Sequence, residues 1–368
     1  MNKFKQILAG CALLMATACT ESMGENELTL LVGTYTDTGS KGIYTYRLNT
    51  ETLQTTLLTE TEVENPSFMA VSEDSKMVYA VSEIAEKKAV VNAYRFDKVS
   101  GELAFLNKMS VGDGPCYIWL HEEASFVATA NYNAGSISVC PISEDGLLGL
   151  NRESYQYVAT GPDSTRQEQS HLHCIQASPD GKMLFATDLG GDVIYKYKVV
   201  NVENKELESQ GPISLKPGSG PRHLTFNTKG DKAYLINELS GMVSVFDYDG
   251  KTLKEVQSIL SDTSYARGSA DIHLSPDNRF LYASTRLKGD GISIFKVDEK
   301  GLLSRIGYQA TEPHPRNFAI SPSGNLLLVA SRDSDCIQLF SRNNETGLLT
   351  DTHKKINVKH PAFVKCIE

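Results

Sequence analysis

A repeated strand–turn–strand unit constrains the fold of this chain more than any other feature of its sequence. In each copy a short apolar strand enters a turn of the Ser-Pro-Asp-Gly-Lys type, and a second apolar strand follows, as in IQASPDGKMLFATDL at 175–189. Successive turns begin 46 to 57 residues apart. The six turns begin at Ser72, His121, Ser178, Asn227, Ser275 and Ser321. Short strands joined by polar tight turns are hairpin signals, so the pattern predicts an all-β fold.

The number of blades follows from the repeat and from the two chain ends. Each copy continues into a third alternating strand, such as DVIYKYKV at 192–199, and most continue into a weaker fourth strand. Four strands in about 50 residues, repeated in series, are typical of β-propeller blades. The segment 361–368 resembles a first strand, and 28–60 supplies the second, third and fourth strands of the same blade. We therefore predict a seven-bladed β-propeller with four-stranded blades and one blade split between the N- and C-termini. A sandwich or two domains would not explain the even spacing and the complementary ends.

Residues 1–18 have the features of a secretory signal peptide. Lys3 and Lys5 precede an apolar run, and small residues stand before Cys19. The apolar run is too short to span a bilayer as a helix. A cysteine after small residues resembles the cleavage site of bacterial lipoproteins.

These features predict the organisation of the chain and its location. We expect residues 1–18 to be removed, Cys19 to be lipidated, residues 19–27 to form a polar tether, and residues 28–368 to form a single propeller domain. The protein would then be exported to the bacterial cell envelope, and its lipid would be its only contact with the membrane. A plain signal peptide cut nearby is the alternative.

Charge and cysteine content exclude several classes of function. The net charge is −9 and the chain has no basic block, which argues against nucleic acid as a partner. The cysteines that would remain after processing are scattered and contain no CxxC pair, so neither a disulfide framework nor a zinc site is indicated. The HLH string at 171–173 lacks a third ligand at a suitable spacing. We expect no metal and no cofactor.

Two positions of the repeat carry the candidate functional side chains. Both lie at the face of the propeller opposite the Ser-Pro-Asp-Gly turns, and equivalent positions of different blades converge around the axis. Five residues before the turns stand Ser67, Cys116, His173, Arg222, Ala270 and Arg316. Eleven residues after the start of each turn stand Glu83, Tyr132, Leu189, Glu238, Arg286 and Arg332. A convergence of His, Glu and several Arg in a concave place is a default hypothesis for a binding site.

From these positions and their neighbours we predict two groups of site residues. The predicted catalytic residues are His173, Glu238, Arg222 and Arg286. The predicted substrate-binding residues are Glu83, Asn131, His171, Asp188, His223, Arg316 and Arg332. Asp188 could equally cap a tight loop, and His223 could be a packed channel residue. Arginines of neighbouring blades that face one axis repel each other unless anions offset them, so a bound anion is expected.

Long strings of the sequence resemble a known family. Four segments are similar to the bacterial lactonase family typified by propeller-type 6-phosphogluconolactonase: 169–197, 218–239 (GSGPRHLTFNTKGDKAYLINEL), 270–286 and 313–340. The resemblance extends over nearly all of 28–368. It implies a seven-bladed propeller and a hydrolase of carbohydrate metabolism that opens a lactone ring, as in the glucose-consuming pentose phosphate pathway. That pathway's lactone is cytosolic, whereas the predicted signal implies export, so the resemblance leaves the true lactone open.

A related fungal enzyme, the carboxymuconate lactonizing enzyme, shares this fold. Its proposed site of one His, two Arg and one Glu corresponds, by repeat position, to His173, Arg222, Arg286 and Glu238. The resemblance therefore implies the same four residues that the repeat positions select.

The leading hypothesis is hydrolysis of a small anionic sugar lactone to its open-chain acid. His173 would be the general base, and Glu238 would orient it or replace it as the base. Arg222 and Arg286 would hold the developing oxyanion. Two alternatives remain open: a non-catalytic surface propeller that binds a glycan or a protein, and a lactonizing or cycloisomerase activity on a dicarboxylate.

Replacing Cys19 by Ser should release the protein from the membrane fraction, because the lipid is the predicted sole anchor. Immunoblots of membrane and soluble fractions measure this, and Cys11→Ser, within the predicted signal, is the matched control. Unchanged membrane association of Cys19→Ser would contradict the lipoprotein prediction.

Overall fold

The protein is described here by a computed structural model. The described residues are 23–85, 88–121, 125–150, 153–201 and 206–368. The predicted signal and Cys19 lie outside them. Apart from one 3-10 turn at Arg332–Ser334, the regular structure of this part of the chain consists of β-strands, and it contains no helix long and apolar enough to cross a membrane. The strands form seven four-stranded antiparallel sheets, which confirms the predicted seven-bladed β-propeller.

Blade 1 is the split blade. It consists of β1 (Glu27–Thr34), β2 (Gly42–Asn49), β3 (Thr55–Glu62) and β28 (Pro361–Ile367). The C-terminal strand β28 pairs antiparallel with β1 and lies innermost in the sheet, as predicted. The amide of Val364 in β28 also donates a hydrogen bond to Oδ1 of Asn317 in blade 7, at 2.8 Å. The last strand of the chain therefore closes both its own blade and the ring.

The other blades are simple meanders that run outwards from the axis. The strands of blades 2 to 4 are β4 (Met69–Val71), β5 (Met77–Ser82), β6 (Val90–Asp97), β7 (Glu102–Ser110), β8 (Pro115–His121), β9 (Phe126–Asn131), β10 (Ser136–Pro141), β11 (Glu153–Gln156), β12 (Leu172–Ala177), β13 (Met183–Asp188), β14 (Val193–Asn201) and β15 (Glu206–Ser214). Those of blades 5 to 7 are β16 (Pro221–Phe226), β17 (Lys232–Asn237), β18 (Met242–Tyr248), β19 (Leu253–Leu260), β20 (Ser269–Leu274), β21 (Phe280–Thr285), β22 (Gly291–Val297), β23 (Leu303–Ala310), β24 (Pro315–Ile320), β25 (Leu326–Ser331), β26 (Cys336–Arg342) and β27 (Leu349–Asn357).

The Ser-Pro-Asp-Gly turns are closed by their own side chains. In blade 4 the Ser178 hydroxyl donates to Oδ1 of Asp180 at 2.6 Å and accepts the amide N–H of Met183 at 3.1 Å. Gly181 has φ +68°, a conformation that side chains disfavour. The equivalent Ser–Asp contact is 2.7 Å long in blade 2 and 2.5 Å in blade 6. These turns are therefore structural, and they leave the opposite face free for function.

Buried tyrosines of the second strands join neighbouring blades. Tyr79, Tyr234 and Tyr282 are at most 2% exposed, and each hydroxyl donates a hydrogen bond to a glycine carbonyl of the next blade, at 3.1, 3.0 and 2.7 Å. The acceptors are Gly146, Gly301 and Gly347, respectively. Each ring fills the apolar space between two sheets while its polar tip is satisfied, as buried tyrosine requires.

Most of the innermost strands carry a β-bulge at the face where the candidate functional residues lie. In six of the seven blades the pairing between the inner strand and its neighbour skips one or two residues near the beginning of the inner strand. The skipped residues are Cys116, His173, Arg222, Ala270 with Asp271, Arg316 and Ala362. A bulge re-aims a side chain that would otherwise follow the strand's alternation. The bulge thus coincides with the first of the two repeat positions identified in the sequence.

Deleting Pro361–Glu368 should strongly destabilise the protein, because it removes an inner strand together with the buried side chains of Phe363, Val364 and Ile367. Loss of a large buried side chain typically costs about 2–5 kcal/mol, so we expect a fall in Tm of roughly 10 °C or more. Circular dichroism melting measures this, with deletion of residues 20–25, which precede β1, as the control. A wild-type Tm in the C-terminal truncation would contradict the split blade.

Candidate active site

A pocket of about 590 Å³ opens at the face where the inner strands begin and the second strands end. Most of its wall comes from the two repeat positions. The residues from these positions that line it are Glu83, Cys116, Tyr132, His173, Glu238, Arg286, Arg316 and Arg332. The remaining lining residues are Tyr35, Asp37, Arg166, Leu287 and His360. The predicted convergence of His173, Glu238 and Arg286 on one mouth therefore exists in the structure.

Glu238 is the centre of the charged network in this pocket. Its Oε1 lies 2.7 Å from Nη2 of Arg166, and its Oε2 lies 3.0 Å from Nε of Arg222 and 3.3 Å from Nη2 of Arg286. Burial raises the pKa of this carboxyl, but the three arginines outweigh burial and lower the pKa to about 2. Glu238 is therefore ionised, and its carboxylate is paired with the guanidinium groups of three arginines. Both oxygens of Glu238 contact guanidinium groups, and its role as the residue that orients His173 or as the alternative base stays a prediction.

Arg222 lies beneath the pocket floor and not in its wall. Its side chain is 2% exposed, and its Nε–H is not directed at Glu238, so their 3.0 Å contact is an ion pair without hydrogen-bond geometry. Nη1 donates to the carbonyl oxygen of Ala270 and lies 3.2 Å from Nε2 of His223. Arg222 therefore lies outside the pocket lining and contacts Glu238 from below, and its predicted role in holding the substrate oxyanion stays a prediction.

Arg286 reaches the pocket from the end of β21. Its Nε donates to the carbonyl oxygen of Gly268 at 2.8 Å, and its Nη1 lies 3.2 Å from Nε2 of His314. Burial and the neighbouring arginines together exceed the attraction of Glu238 and lower the pKa of Arg286 to about 9. The guanidinium remains charged at neutral pH. Three guanidinium groups thus share one carboxylate, and this cluster carries surplus positive charge.

His173 is a buried, neutral imidazole at the edge of the pocket. Its Nδ1 lies 3.7 Å from Sγ of Cys116, and its ring meets that of Tyr132 edge-on, with 5.5 Å between the ring centroids. Burial, followed by the charges of Arg222 and Arg316, holds the pKa of His173 well below its usual range. Burial raises the pKa of the Cys116 thiol, so this cysteine keeps its proton.

A second charged group forms the opposite wall. The guanidinium of Arg316 lies over the ring of Tyr35, 5.2 Å from the ring centroid, and 3.6 Å from Oε2 of Glu83. The Tyr35 hydroxyl donates to the same carboxylate oxygen at 2.8 Å. Tyr35 is not among the predicted site residues, yet it directly follows β1, as Glu83 follows β5 and Glu238 follows β17. Alignment of the split blade with the others would have found it.

Arg166 is the pocket residue that the repeat could not reveal. It belongs to the long connection between β11 and β12, and its Nη2 lies 3.3 Å from the hydroxyl of Tyr132 in addition to its contact with Glu238. Another ion pair, between Asp163 and Arg267, ties this connection to the loop that precedes β20. Because the connection has no counterpart of equal length in the other copies, no repeat position corresponds to Arg166.

Arg332 stands at the outer edge of the pocket. Its Nε donates to Oδ1 of Asp333 at 2.6 Å, and its Nη2 lies 3.3 Å from Nδ1 of His314. The Arg332 side chain is about one-third exposed.

Two predicted binding residues cap or brace the blades instead of lining the pocket. Oδ1 of Asp188, which is fully buried, accepts the amide hydrogens of His171, Gly190 and Gly191 at 2.7 to 3.2 Å, so this aspartate caps a tight loop. Asn131 is also fully buried, and its Nδ2 donates to hydroxyls in β10. The prediction that these two side chains bind the substrate is therefore corrected.

The remaining two predicted binding residues lie behind the wall. The ring of His171 stacks on the outer face of the Tyr132 ring, with 4.2 Å between centroids, and its Nδ1 lies 3.0 Å from the Tyr132 carbonyl oxygen. His223 lies under Arg222, and its Nδ1 is 2.7 Å from Oδ1 of Asp271. Neither lines the pocket. Within the described residues, no cluster of three His, Cys, Asp or Glu side chains is arranged to hold a metal ion.

Comparison with known proteins identifies the family. Residues 29–366 match the family model described as lactonase, 7-bladed beta-propeller. A Bacillus subtilis protein named 6-phosphogluconolactonase is 35% identical over 347 residues, which cover 91% of this chain and 97% of the relative. A Formosa agariphila protein of the same name is 37% identical, over 87% of this chain and 94% of the relative.

Solved structures agree with this assignment. A Bacteroides fragilis protein is 48% identical and superposes with a TM-score of 0.91, over 95% of this chain and 100% of that protein. The periplasmic gluconolactonase of Pseudomonas aeruginosa is 31% identical and has a TM-score of 0.89, over 93% of this chain and 99% of that protein. The chain belongs to the lactonase family of seven-bladed β-propellers.

Proposed function

We propose that this enzyme hydrolyses a negatively charged sugar lactone in the pocket around Glu238. The observation that carries the proposal is the surplus of positive charge there: Arg166, Arg222 and Arg286 share a single buried carboxylate. Like charges at such short range repel unless an anion offsets them, and the guanidinium fork suits carboxylate and phosphate groups. The relatives named 6-phosphogluconolactonase support a lactone as the reacting group.

His173 is the proposed general base, with Cys116 as the group that orients it. The thiol proton has backbone acceptors at 3.6 to 3.7 Å, which leaves the sulfur free to accept the Nδ1–H of His173. Nε2 then carries the lone pair that accepts a proton from water. This arrangement assigns to a neutral thiol the orienting role that sequence analysis gave to Glu238.

The proposed reaction is a balanced hydrolysis. A water oxygen attacks the lactone carbonyl carbon while its proton passes to Nε2 of His173. Arg286 and Arg166, which line the pocket, stabilise the negative charge that develops on the carbonyl oxygen. The bond from the carbonyl carbon to the ring oxygen then breaks, and the proton returns from His173 to that oxygen. The products are one hydroxyl group and one carboxylic acid, which releases its proton to water and becomes a carboxylate, and no covalent enzyme intermediate forms.

Substrate binding should itself activate the base. After burial, the charges of Arg222 and Arg316 are among the causes that hold the pKa of His173 low. An anion bound in the pocket offsets the field of these arginines and raises the pKa of His173, which makes it a stronger base. A neutral lactone would lack this effect, so the site favours an anionic substrate over a neutral one of the same size.

We also propose a location for the enzyme, and the volume of the pocket limits the size of its substrate. The segment 1–18 supports export and Cys19 supports a lipid tether, so we propose that the enzyme acts in the cell envelope. A pocket of about 590 Å³ is large enough for one sugar ring with its substituents. Lactones of sugar acids that carry a second carboxylate, or of phosphorylated sugar acids, fit both the volume and the charge.

Variants of the pocket test the proposal. His173→Asn should lower kcat about 100-fold or more, because it removes the base. Arg286→Lys keeps the charge but loses the planar fork, so kcat/KM should fall about 10-fold or more. His353→Asn, at an exposed position outside the pocket, is the matched control. Acid release from glucono-, glucaro- and 6-phosphogluconolactone is measured with spontaneous hydrolysis subtracted, and circular dichroism checks folding.

Two outcomes would count against the proposal. If folded His173→Asn and Arg286→Lys hydrolyse as fast as wild type, the pocket is not the active site. If wild type releases no acid from any lactone, a binding propeller, or a lactonizing enzyme acting on a dicarboxylate, replaces this proposal.

The pH dependence of the reaction should reveal the activation of the base. His173 must be neutral to accept a proton, so activity falls as the pH decreases through its pKa. Because kcat/KM reports the free enzyme and kcat the complex, the acid limb of kcat/KM should lie well below pH 6.5 and that of kcat at a higher pH. Initial rates between pH 4 and 8 measure both. Coincident acid limbs would contradict activation by the bound anion.

A further inference from the structure

A buried polar network below the pocket floor plays no part in the reaction steps proposed above. Its centre is Asp271, whose side chain is 2% exposed and accepts hydrogen bonds on both oxygens. The donors are Nδ1 of His223 at 2.7 Å, Nε2 of His273 at 2.9 Å, Nδ2 of Asn317 at 2.6 Å, and the amides of Ile272 at 3.0 Å and Phe318 at 3.2 Å. Burial raises the pKa of Asp271, but the charge of His273 and the hydrogen bond of His223 outweigh it, so Asp271 is a carboxylate.

An ionised carboxylate accepts hydrogen bonds but cannot donate them, so it dictates the tautomer of His223. The proton of His223 must lie on Nδ1, which faces Asp271. Burial and Arg222 lower the pKa of His223 to about 4, so the imidazole is neutral near pH 7. Its Nε2 then has a lone pair, and this atom lies 3.2 Å from Nη1 of Arg222.

This lone pair can accept a hydrogen bond from Arg222. Nη1 carries two hydrogens, one of which is accepted by the carbonyl oxygen of Ala270. The other has Nε2 of His223 within reach. If His223 were protonated on Nε2, two N–H groups would face each other in a fully buried place, and Arg222 would have to turn away.

We propose that Asp271 and His223 are positioning residues for the pocket. Asp271 sets the tautomer of His223, and Nε2 of His223 holds Arg222 in the orientation in which Arg222 supports Glu238. Glu238 in turn fixes the two guanidinium groups that line the pocket, those of Arg166 and Arg286. This role rests on the proposed function for its effect on catalysis, although the hydrogen-bond arrangement itself does not.

The chain offers a matched control in His273. His223 and His273 bind the two different oxygens of the same carboxylate. The side chain of His273, however, is 41% exposed in a cavity on the side of the Ser-Pro-Asp-Gly turns, and it packs against the ring of Phe318. A role in stability alone would concern both histidines, whereas only His223 contacts Arg222.

Kinetics of three variants separate positioning from stability. His223→Leu removes the acceptor and should lower kcat/KM about 30-fold or more. His223→Gln offers an amide oxygen in its place and should stay within about 5-fold of wild type. His273→Leu should stay within about 3-fold, because His223, Asn317 and two backbone amides still donate to the Asp271 carboxylate. Thermal melting of each variant checks folding. Equal losses in His223→Leu and His273→Leu, or equal activity of the Leu and Gln variants at position 223, would overturn the proposal.

A second measurement uses the wild-type protein and does not need activity. In protein labelled with ¹⁵N-histidine, NMR should show His223 with the proton on Nδ1 and a bare Nε2, and the spectrum of His223→Gln assigns the signal. The opposite tautomer would overturn the positioning role even if the lactonase is active. If no lactone is hydrolysed but the Nδ1–H tautomer is observed, the proposed function fails while the arrangement that fixes Arg222 stands.

Discussion

The sharing of one buried carboxylate by three guanidinium groups is the interaction on which the pocket depends. Glu238 and Arg222 come from blade 5, Arg286 from blade 6, and Arg166 from the connection into blade 4, so one side chain joins three neighbouring blades. Loss of Glu238 would leave buried cations unpaired, which is far costlier than the loss of an exposed ion pair. In the proposed function the same imbalance attracts the anionic substrate, so stability and substrate binding would depend on one contact.

The propeller makes this arrangement possible through a backbone irregularity. Bulges at the beginning of the inner strands turn one side chain per blade away from the strand's alternation, at the mouth where the second strands also end. Residues 46 to 57 positions apart in the chain thereby meet within a few ångströms. The Ser-Pro-Asp-Gly turns stabilise the opposite ends of the same hairpins, which explains why the repeat is regular on one face and chemically varied on the other.

The features that depend on the spacing of the repeat could be predicted from the sequence. The depth of a side chain below the pocket and the course of a long connection could not. Blade number, the split blade and the meeting of His173, Glu238 and Arg286 follow from spacing alone. Spacing cannot tell that Arg222, at the same repeat position as His173, lies under the floor, because depth depends on how the side chain packs against Ala270 and its neighbours. Nor can it find a residue such as Arg166, which a long connection carries to the pocket from outside the repeat.

Ligand binding tests whether this pocket recognises a sugar acid by its negative charge. Isothermal titration of the purified propeller would compare 6-phosphogluconate with the neutral polyol glucitol. We expect 6-phosphogluconate to bind, its affinity to weaken with added salt, and Arg286→Met to weaken it about 10-fold or more, whereas glucitol should bind far less tightly. Equal binding of the charged and neutral ligands, or binding that is insensitive to Arg286→Met, would contradict recognition of the ligand by its charge.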